Sequence, residues 1–271
     1  MKKIVKIMLA LTIFTGIFSS ANSVFAQKSL DQIKESGELV MGTSADFPPF
    51  EWVVLDGGEA NIVGIDVDIA QLIADEIGVE LVIEDTSFDG LIPSVSSGRV
   101  DMVLAGVTYS EERAKQVDFS EVYYETNSKF VVALGQEGNY SELQDFAGLK
   151  VGVQKGTIQE STLQEVLPEA DLVSMNKNGD LIEALKSKRV DAVLMDGIVV
   201  GEFVSLNSDA IVLLDDIQVE ENSEGFAVVT AKDNKELMEI INKVIAEAIE
   251  TGTIEEIVIK NTELNADASE E

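Results

Sequence analysis

Cysteine and histidine are both absent from the 271 residues. Without cysteine there is no disulfide, no thiolate metal site and no acceptor for a lipid at a leader cleavage point. Without histidine, an imidazole zinc centre and a serine-histidine triad are excluded, which removes most hydrolases. No metal or other cofactor is expected. Proline is scarce at four residues, two of them adjacent at Pro48 and Pro49, and Trp52 is the single tryptophan. Positive charge is the next shortage: 19 Lys and Arg face 50 Asp and Glu, a formal charge of −31. Nucleic acid is repelled by such a surface, whereas cations are drawn to it.

Apolar residues make up 45% of the chain, enough for a real core in one large or two medium domains. Residues 1–26 stand apart. Lys2, Lys3 and Lys6 precede an apolar run from Ile7 to Phe18, and Val24-Phe25-Ala26 offers the small residues of a leader-peptidase site. The expectation is a leader cleaved after Ala26 and a product soluble in the periplasm or outside the cell, with no lipid anchor. Losing those three lysines and no acid takes the formal charge from −31 to −34.

The rest of the chain is organised around Phe88 to Arg113, FDGLIPSVSSGRVDMVLAGVTYSEER. Leu91, Ile92 and Val95 at helical spacing predict a short helix ended by Gly98, and Val100 to Ala105 predicts a buried strand stopped by Gly106. Thr108 and Arg113 follow, just past the carboxyl end of that strand, where open α/β sheets place ligands. The unit recurs about ninety residues on, since Leu181-Ile182, Ser187, Arg189-Val190-Asp191 and Val193-Leu194 repeat Leu91-Ile92, Ser97, Arg99-Val100-Asp101 and Val103-Leu104. Two such units imply two similar lobes. The second ends in Asp196 where the first has Gly106, so one copy offers a cation, Arg113, and the other an anion. A free amino acid needs both. Taken alone, Arg113 is an ordinary solvated charge and Asp196 an ordinary helix cap; the repeat turns both towards a ligand.

Along the chain, Ser29 caps a helix from Leu30 to Glu35 before a strand at Leu39 to Thr43. The loop SADFPPFEW then crowds Phe47, Phe50 and Trp52 together, and Trp52 reads as a rim or structural residue. Ile65, Ile69, Leu72, Ile73 and Ile77 predict a helix, Val79 to Glu84 a strand, and Val122 to Ala133 one long extended crossing between lobes. Gly156-Thr157 opens a helix from Ile158 to Val166 whose free N–H groups suit an anion. Gly225 to Thr230 reads as a return crossing. Leu237 to Ile249 is the clearest amphipathic helix, a short helix ends at Lys260, and ELNADASEE is expected to be disordered.

These blocks resemble the extracytoplasmic amino-acid-binding proteins of ABC importers, bacterial solute-binding family 3. The matching segments are Gly42-Thr43 with Pro49-Phe50-Glu51, Gly64 to Asp68, Phe88 to Pro93, Gly98 to Asp101, Ala105 to Thr108 with Glu112-Arg113, Val117 to Ser120, Gly152-Val153 with Gly156-Thr157, and Asp191 to Val193 with Asp196. Each is weak alone, but their order and spacing are specific. The resemblance implies an α/β, two-lobed periplasmic-binding-protein-like fold of type II, the lobes joined by two crossing strands. One lobe would be 27–127 with 227–262, the other 128–226, and 263–271 a tail.

By the same resemblance, Arg113 and the N–H groups of Gly106 and Ile158 take the α-carboxylate of a free L-amino acid. Asp196, the Thr108 hydroxyl and the Ala105 carbonyl take its ammonium, while Phe47 and Phe88 sandwich its side chain. Asp46 and Glu51 flank the aromatic loop and no lysine stands at Gln154, which favours a basic side chain, arginine first and lysine next. The bland alternative leaves Asp46 in solvent and Glu51 paired with a lysine. The implied role is a monomeric receptor that delivers the amino acid to ABC permease subunits. Exported cyclohexadienyl dehydratases share the fold and are the enzymatic alternative, and an adhesin or sensor without transport is the third.

Overall fold

A computed structural model describes residues 27–219 and 225–268; the expected leader, 1–26, and its cleavage point lie outside them. The first helix, α1 (Leu30–Ser36), is held by a capping box in which Gln32 Oε1 accepts from the Ser29 N–H at 2.9 Å and Ser29 Oγ accepts from the Gln32 N–H. There follow β1 (Glu38–Thr43), β2 (Asp46–Phe47), β3 (Glu51–Asp56), β4 (Glu59–Val63), α2 (Ile65–Ile77), β5 (Glu80–Asp85), α3 (Phe88–Ser96), β6 (Met102–Val103) and β7 (Val117–Tyr124). Next come β8 (Ser128–Ala133), β9 (Lys150–Gln154), α4 (Ile158–Val166), β10 (Asp171–Met175), α5 (Asn178–Lys186), β11 (Ala192–Asp196), α6 (Gly197–Leu206) and β12 (Ile211–Leu214). The chain closes with β13 (Phe226–Ala231), α7 (Lys235–Glu250) and α8 (Thr253–Ala268).

Two five-stranded sheets, in the orders β5-β1-β6-β13-β7 and β10-β9-β11-β8-β12, form the cores of two lobes. A small sheet, β2-β3-β4, sits on the first. The sequence repeat has a plain structural meaning. β1 runs parallel to β6, and β9 parallel to β11. In the first lobe Asp101 Oδ2 accepts from the Val40 N–H at 2.9 Å while the Asp101 N–H donates to the Val40 carbonyl at 2.8 Å. Asp191 repeats both bonds with Lys150, at 2.9 and 2.8 Å. Each repeated aspartate therefore ties its strand to the parallel neighbour before the ladder begins. On α2, Ile65, Ile69, Ile73 and Ile77 are buried along one stripe, each contributing about 1.5–3 kcal/mol by leaving water.

Three expectations need correction. The run Val100 to Ala105 is buried, but only Met102 and Val103 pair as β6, because Asp101 is spent on its side-chain tie and Gly106 turns away at φ 56°. The single extended crossing from Val122 to Ala133 is two strands, β7 in the first sheet and β8 in the second, with the passage between lobes at residues 125–127. The acidic end is helical as far as Ala268 instead of stopping at Lys260. Two amides fasten it: Asn261 Nδ2 donates to Asp68 Oδ2 of α2 and Asn265 Nδ2 to Glu202 Oε2 of α6, both at 2.7 Å. α8 thus touches both lobes. The remainder of the expected disordered tail, 269–271, lies outside the described residues.

Candidate functional site

The turns that leave β1, β6, β9 and β11 converge between the lobes on a cleft. Asp46, Phe47, Phe88, Ala105, Gly106, Thr108, Gln154, Thr157, Ile158 and Asp196 all line it, from both lobes. Arg113 does not. It lines the adjoining groove with Gly156 and Phe88, its guanidinium 5.6 Å from the Phe88 ring centre. Its Nη1 donates to the Thr108 carbonyl at 2.7 Å and to Thr108 Oγ1 at 3.3 Å, and its Nη2 crosses to the Gly156 carbonyl of the other lobe at 2.8 Å. Burial lowers its guanidinium to about 10, which leaves it charged at neutral pH.

The lobes meet around the cleft mouth. Lys155 Nζ pairs with Asp89 Oδ2 at 2.8 Å, and a Cβ at Gly156, whose φ is +80°, would come within 2.9 Å of Asp89 Cβ. Only glycine allows so close an approach. On the opposite wall, the Asn178 N–H at the start of α5 donates to Asp46 Oδ2 at 2.7 Å. Asp46 is therefore a lobe-to-lobe tie, an acid at a helix N-terminus, and not a solvated charge. Burial raises its carboxyl from the ordinary range.

The Gly106 N–H is not available to an anion. It donates to Asp66 Oδ2 at 2.9 Å, so the expected carboxylate contact is corrected on that donor. Glycine is required there all the same, because φ is +56° and a Cβ would lie 2.5 Å from Phe47 Cε1. No backbone carbonyl among the described residues accepts from the N–H of Thr108 or of Ile158. Thr157 caps α4 through its side chain, which leaves the first-turn N–H groups facing the cleft. Asp196 is 2% exposed; its Oδ1 accepts from the Ile198 N–H at 3.0 Å as the cap of α6, and its Oδ2 accepts from the Thr126 hydroxyl. Gln154 is tied back through Nε2 to the Asn176 carbonyl at 3.2 Å. Phe47 packs on Phe50 and Phe226 at 5.7 and 6.0 Å between ring centres.

The floor is acidic. Glu51 is fully buried, lines the cleft, and among the described residues has no donor within reach of either carboxyl oxygen. Asp66, also fully buried, accepts from Tyr123 Oη at 2.7 Å as well as from Gly106. Burial, then the charges of Asp66 and Asp46, push Glu51 well above the usual carboxyl range, and burial raises Asp66 to about 6. The alternative of a surface lysine pairing with Glu51 is excluded by its burial. Trp52 is 8% exposed within the small sheet and does not line the cleft, in keeping with a structural place.

Sequence reasoning missed Gln159, Asn178, Leu194, Met195 and Phe226 as lining residues. Gln159 and the Leu194-Met195 pair adjoin expected positions, and strand-end counting would have reached them. Asn178 carried no local signal, since its place depends on closure of one lobe against the other, whereas Phe226 reaches the cleft as the first residue of β13, packed on Phe47 within the first lobe.

The description of bacterial extracellular solute-binding proteins, family 3, matches residues 39–263. The arginine-binding extracellular protein ArtP of Bacillus subtilis is 39% identical over 228 residues, covering 82% of this chain and 86% of that protein. The crystal structure of the amino acid ABC transporter substrate-binding protein AbpA of Streptococcus pneumoniae, bound to L-arginine, superimposes with a TM-score of 0.83 at 38% identity, covering 89% of this chain and 99% of the other. A cyclohexadienyl dehydratase of Pseudomonas aeruginosa is 28% identical over 185 residues, 68% of each chain. With a two-lobed α/β fold and a cleft built from strand-end turns of both lobes, the chain belongs to family 3 of the bacterial extracellular solute-binding proteins.

Proposed function

We propose that the cleft binds free L-arginine, with lysine the nearest competitor, and that the protein delivers it to the membrane subunits of an ABC importer. One observation carries the choice of ligand: Glu51, a fully buried carboxyl on the cleft floor with no donor among the described residues. A guanidinium supplies the missing donors and the counter-charge together. The arginine-bound Streptococcus neighbour and the arginine-binding Bacillus relative support the same ligand. Phe47 and Phe88 give the aliphatic stem and the cation aromatic walls.

In this reading Arg113 and the N–H groups of Thr108 and Ile158 hold the α-carboxylate. Asp196, the Thr108 hydroxyl and the carbonyls of the 105–106 turn hold the ammonium. Each half draws on both lobes, with Ile158 and Asp196 from the second and the other groups from the first, so the ligand favours closure because only the closed state makes every contact. The finished protein is exported, soluble and monomeric, starting at Gln27.

The enzymatic reading has one observation in its favour, since burial raises the carboxyl of Glu51, the direction a general acid needs. Against it, the floor groups Asp46, Glu51 and Asp66 oppose the second carboxylate of prephenate. Calorimetric titration with arginine, lysine, glutamine and cystine tests the proposal. Arginine binding at micromolar or tighter supports it, and tighter binding of glutamine or cystine defeats the ligand assignment. Aromatic product from prephenate or arogenate would establish the enzyme instead.

A further inference from the structure

Asn178 is the first residue of α5, is 1% exposed, and lines the cleft. Its backbone N–H is used, on Asp46. Its side chain is not: Nδ2 is buried and has no hydrogen-bond partner among the described residues. A buried amide without a partner is unfavourable, and native proteins rarely leave one where nothing will meet it. The way it reaches the cleft matters as well. Asp46 belongs to β2 in the first lobe and Asn178 to the second, so the bond that brings the lobes together on this wall also carries the carboxamide into the space beside Phe47.

We infer that Asn178 is a specificity-determining residue whose carboxamide pairs with the polar end of the ligand side chain once the lobes close; this rests on the reading of the cleft as an arginine site. Turning the amide by half a rotation exchanges its oxygen and nitrogen, so the carbonyl oxygen accepts from a guanidinium N–H. Glu51 supplies the charge and Asn178 a neutral acceptor, which matches a group with several donors in one plane. An apolar side chain of similar length leaves the amide unpaired, and the cleft rejects it on that account.

The test uses the whole secreted chain with Asn178→Leu, nearly the same size without polar atoms, and Asn178→Ala, which keeps the backbone bond to Asp46 and answers if the leucine variant does not fold. Arginine affinity is read by calorimetry, stability by urea unfolding without ligand, and selectivity by the concentration of norleucine that displaces arginine. Both variants are expected to bind arginine about tenfold or more weakly. The ligand-free leucine variant is expected to be at least as stable as the unaltered protein, and norleucine to displace arginine from it at lower concentration. Arginine affinity within about threefold of the unaltered protein, on a folded variant, overturns the assignment alone. An unaltered chain that does not bind arginine overturns the arginine reading and this assignment with it.

Discussion

The N–H of Asn178 donates to Oδ2 of Asp46 at 2.7 Å, joining the second lobe to the first across the wall of the cleft. Asp46 therefore acts on closure before it acts on any ligand. Asp46→Asn keeps an acceptor but loses the charge at the start of α5, a change of about 0.3–1 kcal/mol. Arginine and lysine should weaken together by no more than about fivefold in titrations of the variant. A loss confined to arginine would instead place Asp46 on the guanidinium.

Arg113→Ala removes both the expected partner of the ligand carboxylate and the bond to the Gly156 carbonyl of the other lobe. A buried carboxylate without its counter-charge costs about 3–5 kcal/mol, so affinity should fall by at least about a hundredfold while circular dichroism and the unfolding transition stay near normal. Near-normal binding by the folded variant would remove Arg113 from the site.

Glu51 gives arginine binding a pH dependence whose sign is fixed. Burial and the neighbouring acids raise its carboxyl well above the ordinary range in the ligand-free cleft, and a guanidinium favours its ionised form. Binding therefore releases a proton, and arginine affinity rises with pH. Titrations in buffers of different ionisation enthalpy measure the release directly. Glu51→Gln should reduce both the proton release and the rise, leaving a weaker site whose remaining pH dependence belongs to Asp66.

The arrangement of two repeated lobes was readable because each copy of Arg-Val-Asp meets the same local demand, a carboxylate tying the incoming strand to its parallel neighbour. Ten of the expected cleft residues reach the cleft for a related reason, since the ends of these strands are set by short-range pattern. What the pattern did not give was the use made of each group. Gly106 donates inward to Asp66, a residue forty positions earlier whose burial follows from the packing of α2. Asn178 gains its place from the contact with Asp46, 132 residues away. The helical end of α8 was hidden because its composition is polar, while Asn261 and Asn265 are buried by partners that no local reading supplies.

Asp66 makes the ligand-free protein pH-sensitive in its stability. Its folded value of about 6 lies above the ordinary 3.8, so the folded state holds a proton that the unfolded chain gives up between those values. The contribution is complete below about pH 3.8 and is lost as pH rises through about 6, a change of roughly 3 kcal/mol. Urea unfolding of Asp66→Asn should show a flatter profile over that window than the unaltered protein. An identical slope would mean that Asp66 is ionised throughout.

The most direct test of the cationic floor compares L-arginine with L-citrulline, which has the same length and shape but a neutral end. Calorimetric competition between them on the unaltered protein at pH 7.5 isolates the charge that Glu51 is placed to meet. The account predicts that arginine binds about 10–100-fold more tightly, the difference between a charge-assisted and a neutral set of hydrogen bonds. Equal affinity, or tighter binding of citrulline, would contradict it.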